Sequence, residues 1–358
     1  MESTLPIRGT FSPTIEARHS PPKGGGERKK RSIQLKIEQV ATKVIRNIKK
    51  ELAEGNVPWQ KPWEESFIDM NGNLVNPNDQ YNATYGTKYQ GGNLLVLASL
   101  GYKSRLWGTF KNISDLGGKI KRGEQSTTVW KWKIEEKPKV SIDEDENETP
   151  VLDAEGNQVI NKFWRCYTSE VFNLDQTTGA KVKPSVKQKV NFGAKAKTKL
   201  GRNVASAILA DGYIENGGPK FSHNGGSQAL YRVSADSVSL PKKELFKSIN
   251  EYYSTKFHEL GHSTGHSSRL AWGFEKTAVF GSKVYAKEEL VAELTAAILC
   301  SMTGINNTIT NSAAYCKGWL KALNNDPKMF MDASKDATKA AKLIAAKAEA
   351  TREEQLAA

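Results

Sequence analysis

The chain has 358 residues, enough for about two domains with cores of their own. Lys and Arg number 52 against 39 Asp and Glu, a formal net charge of +13, and 38% of residues are hydrophobic. That balance excludes a wholly disordered chain and favours an anionic partner. The apolar runs, such as Leu94–Leu97 and Ala296–Cys300, fall far short of the roughly 20 residues of a membrane span. The opening MESTLPIRGTF lacks the charged and apolar regions of a secretory signal. Three cysteines, Cys166, Cys300 and Cys316, form no CxxC pair. They fit a reducing compartment and argue against a disulfide framework or a thiolate metal site. A cytoplasmic location is expected.

Charge and residue type divide along the chain. Residues 1–202 hold 34 basic and 23 acidic side chains, and residues 203–358 hold 18 and 16. Six of the eight Trp lie at or before Trp164, and four of the five His at or after His223. This predicts two domains, a basic aromatic binding half and a half for metal or acid–base chemistry.

In chain order, residues 1–31 lack hydrophobic periodicity and read as a flexible basic arm. Ile33, Ile37, Val40, Val44, Ile45 and Ile48 then recur at helical spacing, ending at Gly55. Pro58-Trp59 and Pro62-Trp63 cannot continue that helix. A short helix, Asn-capped and Gly-stopped, is predicted over Asn93–Gly101. Thr127–Ile134 alternates as a strand, and Phe163–Leu174 resumes strand composition. Between them, residues 141–158 carry seven acids and no bases and read as a solvated insertion or hairpin tip. Residues 180–202 suit an interdomain linker. Beyond it, Val204–Gly212 is helical and Ala229–Val238 strand-like. Pro241 opens a helical stretch towards His266, and further helices follow over Lys287–Thr303, Ala313–Leu323 and Ala333–Ala350.

The sharpest signal is His258-Glu259-Leu260-Gly261-His262, an HExxH pattern inside a helical stretch. Residues i and i+4 share one helix face, so His258 and His262 can offer imidazole nitrogens to one ion. Glu259, beside them, is placed to take a proton from an attacking water. A catalytic zinc needs a third protein ligand, and Glu288-Glu289-Leu290-Val291-Ala292-Glu293 lies about thirty residues on, along an otherwise apolar helix. Glu289 and Glu293 share a face, and a carboxylate pair there calls for a partner. Glu289 is assigned as third ligand, with Glu288 and Glu293 as its competitors. Glu293 is read as the outer acceptor orienting a ligand His, and Glu288 as a solvent-facing neighbour. His266 falls short of an HExxHxxGxxH ligand and is read as structural or substrate-side. Tyr285 is within a turn of Glu289, where a packed role is favoured over a hydrogen-bonding one. Against all this stands the plain alternative of a helix with solvent-facing His and Glu.

Binding single-stranded nucleic acid needs cations for phosphates and flat side chains for unpaired bases. Residues 81–133 interleave Tyr81, Tyr85, Tyr89, Trp107, Phe110, Trp130 and Trp132 with Lys88, Lys103, Arg105, Lys111, Lys119, Lys121, Arg122, Lys131 and Lys133. The turn Gly117–Gly123 would let backbone approach a phosphate. The competing reading has the aromatics as core and the lysines as a solvated face. No helix-turn-helix, Cys/His finger or basic zipper points to duplex readout.

Together these features resemble the ArdC-type antirestriction proteins of plasmids and phages, whose N-terminal module is shared with some plasmid primases. The resemblance covers roughly residues 33–350. In the first half it rests on Gly55-Asn56-Val57-Pro58-Trp59, Pro62-Trp63, Tyr89-Gln90-Gly91-Gly92-Asn93, Trp107-Gly108-Thr109-Phe110-Lys111, Gly117-Gly118, Lys121-Arg122-Gly123-Glu124, Tyr167 and Val171-Phe172-Asn173. In the second half it rests on Tyr252-Tyr253, on the run from His258 to His266, and on Glu288–Glu293. Behind the disordered basic arm (1–31) read above, it implies an α+β fold with a mixed α/β single-stranded-DNA-binding module (32–192) and a mainly helical zincin-like metallopeptidase domain with a small sheet (193–350). It implies a role protecting incoming DNA from host restriction. The nucleic-acid candidates are then Trp59, Trp63, Tyr89, Asn93, Trp107, Phe110, Lys111, Lys119, Lys121, Arg122, Trp130, Trp132 and Lys133. The metal candidates are His258, His262 and Glu289 around Zn2+ or another divalent ion, with Glu259 catalytic and Glu293 behind the ligands. The expected partners are single-stranded DNA and a protein or peptide substrate, which could add as a strand near Tyr231–Ser237. The alternative is a DNA-coating protein whose metal is structural or dispensable. The basic arm and the acidic segment 141–158 depart from the family pattern.

Overall fold

The structure, a computed structural model, describes residues 41–42, 45–55, 57, 67–68, 74–76, 78–143, 147–190, 198–199, 202–272, 283–305 and 313–357. The expected arm over residues 1–31, Trp59, Trp63 and the side chain of Cys316 lie outside them. Among the described residues, no helix is long and apolar enough to cross a membrane.

The first half is built on a four-stranded sheet ordered Tyr81–Asn82, Leu106–Thr109, Ile160–Asn173, Thr127–Pro138. The first pair is parallel and the others antiparallel. Its two long strands outrun the expected Thr127–Ile134 and Phe163–Leu174 and pair without a break from Thr127↔Val171 to Pro138↔Ile160. The first four residues of the Thr127–Pro138 strand are buried, and most of the rest are exposed. The ribbon therefore leaves the core partway along its length. The acidic segment extends it: Val140–Ile142 pairs with Glu148–Pro150, every one of these residues exposed. This is the hairpin tip that its lack of bases predicted.

Three sequence expectations shift here for local reasons. The short helix runs Gly92–Ser99 from a Gly91 N-cap at φ 57°, so Asn93 is not its cap. The Asn93 amide instead clips the neighbouring strand: its Nδ2 donates to the Trp130 carbonyl at 2.7 Å and its Oδ1 accepts from the Trp130 amide at 3.1 Å. The supposed linker contains a helix, Pro184–Val190, and Val182 and Val186 bury against Tyr81. Gly118 packs tightly on Ala180, where an added Cβ would come within 2.7 Å of the Ala180 Cβ. Gly118 thus serves packing, while Gly117 and Gly123 at either end of the turn face open space.

The second half is mainly helical, with helices Arg202–Glu215, Ile249–Ser263, Lys283–Thr303, Ala313–Asn325 and Met329–Ala357. Its small sheet is ordered Lys220–Asn224, Ser237–Pro241, Leu230–Arg232, parallel then antiparallel. The expected single strand Ala229–Val238 is therefore a hairpin, interrupted by a 3-10 turn at Val233–Ala235 and by Asp236 in the left-handed region. Pro241 closes a strand and opens no helix. The helix starts seven residues later, where Ser248 Oγ accepts the Glu251 amide at 3.2 Å and Glu251 reaches back to the Lys247 amide at 2.8 Å. These contacts satisfy donors that a helix start leaves free.

The main core does not respect the compositional divide. Ile45, Ile48 and Leu52, then Leu95, Val96 and Trp130, share one buried cluster with Phe257, Leu260, Leu290, Leu294, Phe330 and Ile344. The short helix 92–99 packs on the last helix closely enough that a Cβ on Gly92 would fall 2.8 Å from Ser334. Asn76 and Asn78 donate to the Ser301 hydroxyl and carbonyl at 3.3 and 3.0 Å, tying the first half to the end of helix 283–303.

Candidate metal centre and nucleic-acid surface

Helix 249–263 carries His258 and His262 one turn apart, on the face turned to helix 283–303. The two helices run close because Gly261 has no side chain: a Cβ there would lie 3.2 Å from Ala292 Cα and 3.3 Å from Thr295 Cβ. That approach brings Glu289 opposite both imidazoles. The two Nε2 atoms are 3.1 Å apart, and the Glu289 oxygens lie 3.7 Å from His258 Nε2 and 3.5 Å from His262 Nε2. Ligand atoms of His258, His262 and Glu289 all fall within 4.8 Å of one another. Donors placed 2.0–2.1 Å from one tetrahedral ion stand roughly 3.3 Å apart, so this set fits a single small divalent cation. Two imidazoles and a carboxylate suit zinc and also manganese-class ions.

Electrostatics agree with that fit. Burial holds His258 down at about 4, and burial with the neighbouring His258 holds His262 well below the ordinary histidine range. Both imidazoles are thus neutral near pH 7, the form that ligates. Burial, with some help from Glu288, raises the Glu289 carboxyl, while a hydrogen bond from Tyr285 opposes the rise. Glu259 is 8% exposed. Burial first and the Glu289 charge second push its carboxyl to about 7, against a backbone hydrogen bond from Tyr231.

The surrounding carboxylates sort differently from the sequence expectation in one case. Glu288 is buried, 7% exposed, and is no solvent-facing neighbour. Its helix is enclosed on that side too. Glu293 is buried at 3%, one turn along from Glu289, and the His258 Nδ1 atom is buried without a hydrogen-bond partner. His266 lies past the helix end at Ser263, with its Nδ1 2.7 Å from the Ser268 hydroxyl, outside the converging set. Sequence reasoning missed the Tyr231 amide beside Glu259, because no pattern marks a backbone donor brought in by a hairpin.

The nucleic-acid candidates divide in two. Trp107 is wholly buried, its Nε1 donating to Gln80 Oε1 at 2.7 Å, and Tyr89 packs against its cluster. Trp130, 7% exposed, meets Phe330 edge-on at 6.1 Å, and Trp132 packs on the main core. Trp107 and Trp130 thus serve the interior, Asn93 is clipped to Trp130, and Tyr89 and Trp132 are half-buried against the same packing. Phe110, by contrast, is 70% exposed at the start of helix Phe110–Asp115, which Thr109 caps. Lys111 beside it pairs with Asp115 at 3.2 Å. Lys119, Lys121 and Arg122 are exposed on the following strand and turn, Lys121 donating to the Asp175 carbonyl at 2.7 Å.

Lys133 belongs to a second exposed group. Across the ribbon, Lys131 stands opposite Tyr167 and Lys133 opposite Arg165, placing all four on one face. All four are exposed, and Tyr167 and Arg165 both contact Glu135. Tyr167 and Arg165 were not among the candidates. Alternation marks which residues of one strand share a face, but only the register shows which partners complete it.

Residues 38–164 match the N-terminal domain of anti-restriction factor ArdC, and residues 209–336 match a zincin-like metallopeptidase family. A DNA primase TraC of Escherichia coli is 36% identical over 306 residues, covering 84% of this chain and 26% of the primase. A second such primase is 34% identical over 312 residues, or 19% of its length. The chain thus spans about a quarter or less of these relatives. The protein y4eC of Sinorhizobium fredii is 27% identical and covered over 88% of its length. Crystal structures of antirestriction protein ArdC from plasmid R388 superpose with a TM-score of 0.57. The metal-free one has 27% identity, the Mn(II)-bound one 26%, and each comparison covers 87% of this chain and 97% of that one.

Proposed function

The chain has an ArdC-like two-domain architecture, an ArdC N-terminal domain followed by a zincin-like domain, and from it we propose a single-stranded-DNA-binding antirestriction protein with a metal-dependent peptidase site. The observation that carries the peptidase half is the convergence of His258, His262 and Glu289 within 4.8 Å, with the Glu259 carboxyl buried beside them. His258, His262 and Glu289 would hold the ion, zinc by the nature of the donor set, with manganese as the competing occupant. Glu293 would stand behind the ligands as an acceptor that orients a ligand His. A bound divalent cation supplies Lewis acidity, polarising a carbonyl and lowering the pKa of water.

The chain's own groups account for the rest. Glu259, poised at about 7, accepts the proton of the attacking water and returns it to the leaving amine nitrogen as the C–N bond breaks. Leu230–Arg232 is one of the two edge strands of its sheet, so an extended peptide can pair with it alongside Glu259. In the first half, Phe110, Tyr85 and Tyr167 give exposed rings for stacking, interleaved with Lys111, Lys119, Arg122, Lys131 and Lys133 for phosphates. The domain bounds 32–192 and 193–350 follow the same reading, although helix 46–53 packs on helix 313–325.

One observation favours the alternative of a DNA-coating protein with a structural metal: the two helices of the metal centre also form much of the main core, so an ion there would brace the fold whatever its chemistry. Glu259→Ala separates the two. The peptidase reading expects the variant to bind metal and single-stranded DNA as before but to lose both proteolysis and protection of incoming DNA. Full protection by Glu259→Ala would sink the catalytic role. Full-length protein that retains no metal after loading with Zn(II) or Mn(II) and dialysis would sink the site itself.

A further inference from the structure

Among the described residues, two non-glycine residues have left-handed backbone, Asp236 at φ 44° and Ala271 at φ 49°. L side chains disfavour this region, and it persists where the surroundings over-determine it. Both residues belong to one stretch of structure. Asp236 is the corner of the hairpin whose first strand, Leu230–Arg232, is an outer strand of its sheet. Ala271 ends the loop that doubles back after the HExxH helix, its amide bonded to the His266 carbonyl at 3.2 Å.

Arg269 links the two. Its side chain is 7% exposed. Nε donates to the Ser263 carbonyl at 2.8 Å, at the last turn of helix 249–263, where a cation is favoured. Its two terminal nitrogens fork onto both oxygens of Asp236, one at 2.9 Å and the other in a shorter contact. One of them also reaches the Tyr231 hydroxyl at 3.4 Å, and that hydroxyl donates to Asp236 at 2.8 Å. The strand Leu230–Arg232 is thus fastened to that helix through the Arg269 fork at the helix end.

We propose that Arg269 and Asp236 are positioning residues that set the outer strand Leu230–Arg232 against the HExxH helix, so that the strand accepts an extended peptide in register with the metal centre. The proposal rests on the peptidase reading for its substrate, but the clamp itself is a property of the metal-free fold. Neither residue touches the reacting atoms. The fork needs a planar guanidinium, so Arg269→Lys keeps the charge and loses the geometry, while Asp236→Asn keeps the shape and loses the charge.

Two measurements on the full-length chain test this. The first is amide hydrogen exchange of metal-free protein. In both variants the amides of residues 230–232 should exchange at least about tenfold faster, with helix 249–263 protected as in wild type. The second uses Zn(II)-loaded protein and two probes, acetohydroxamate and an N-blocked tri-alanine hydroxamate. Wild type should prefer the peptidyl probe, and both variants should lose about tenfold of that preference while acetohydroxamate and zinc affinities stay fixed. A purely structural role would move both probes together. Unchanged exchange at 230–232, or an unchanged preference in both variants, overturns the proposal. If wild type binds neither probe, the peptidase reading fails, and the exchange result alone decides whether the clamp exists.

Discussion

The two halves of this chain carry candidate residues of equal chemical plausibility, and the fold treats them in opposite ways. In the metal half, His258, His262 and Glu289 converge within 4.8 Å, and the buried Glu259 carboxyl is near enough to feel the Glu289 charge. In the basic half, Tyr89, Asn93, Trp107, Trp130 and Trp132 go to packing, while Phe110 and the lysines stay outside. The difference lies in what each chemistry needs from the chain. A metal site needs polar groups, which are costly to bury without a purpose, so their presence on an apolar helix is informative. A stacking site needs aromatic rings, which are also the best core fillers. The same Trp serves either use, and sequence alone does not separate them.

The sharpest way to break that comparison is Trp107→Ala. Emptying this wholly buried site should cost about 3–5 kcal/mol in urea unfolding. Single-stranded-DNA affinity should hold wherever the protein stays folded. Phe110→Ala should do the reverse, moving stability by no more than about 0.5 kcal/mol and weakening DNA binding by about 1–3 kcal/mol. A folded Trp107→Ala protein that has lost DNA binding would show that the division between interior and surface aromatics is drawn in the wrong place.

In the metal half the corresponding test is pH. The Glu259 carboxyl rises from 4.5 to about 7 on folding. Its contribution to stability is therefore complete below pH 4.5 and lost as pH rises through about 7. For the metal-free protein this predicts a loss of about 3 kcal/mol between pH 4.5 and pH 8. Glu259→Gln should lack that loss. His258, lowered to about 4, acts with the opposite sign: its stability is present above 6.5 and lost on acidification. It does so in both proteins, so the difference between their urea curves at the two pH values isolates Glu259. Equal curves would mean that the carboxylate is solvated and not poised for catalysis.

The smallest expected effect sharpens the surface side. Lys133→Ala should lower the salt dependence of single-stranded-DNA binding, taking about 0.7 from the log–log slope, as for one lost phosphate contact. Lys121→Ala should do less, since its Nζ already donates to the Asp175 carbonyl. Equal slopes for wild type and Lys133→Ala would remove the ribbon face from the DNA path.

Local spacing made much of this legible. The i, i+4 pair His258/His262, the adjacent Glu259 and the i, i+4 carboxylates Glu289/Glu293 are properties of single helices, fixed by 3.6 residues per turn. The exposure of the described strands Val140–Ile142 and Glu148–Pro150 followed from charge alone, since a segment of acids without a base resists burial. Helix and strand limits slipped where a cap or corner decided them, as at Ser248, which starts the helix expected at Pro241, and at Asp236, which breaks one expected strand into two. Glu288 was misplaced because a helix shows its own faces but not how many neighbours cover it.

By itself, then, the sequence determined which residues could ligate, where charge would stay in water and which segments repeat at helical or strand period. Those properties depend on neighbours a few residues away. Only the tertiary structure decided that Gly261 lets two helices approach until Glu289 faces the imidazoles, that Lys131 meets Tyr167, and that Arg269 reaches Asp236 across 33 residues of chain. Each of these depends on register or helix-to-helix distance. Such quantities are set by the summed packing of one shared core, and no local pattern encodes them.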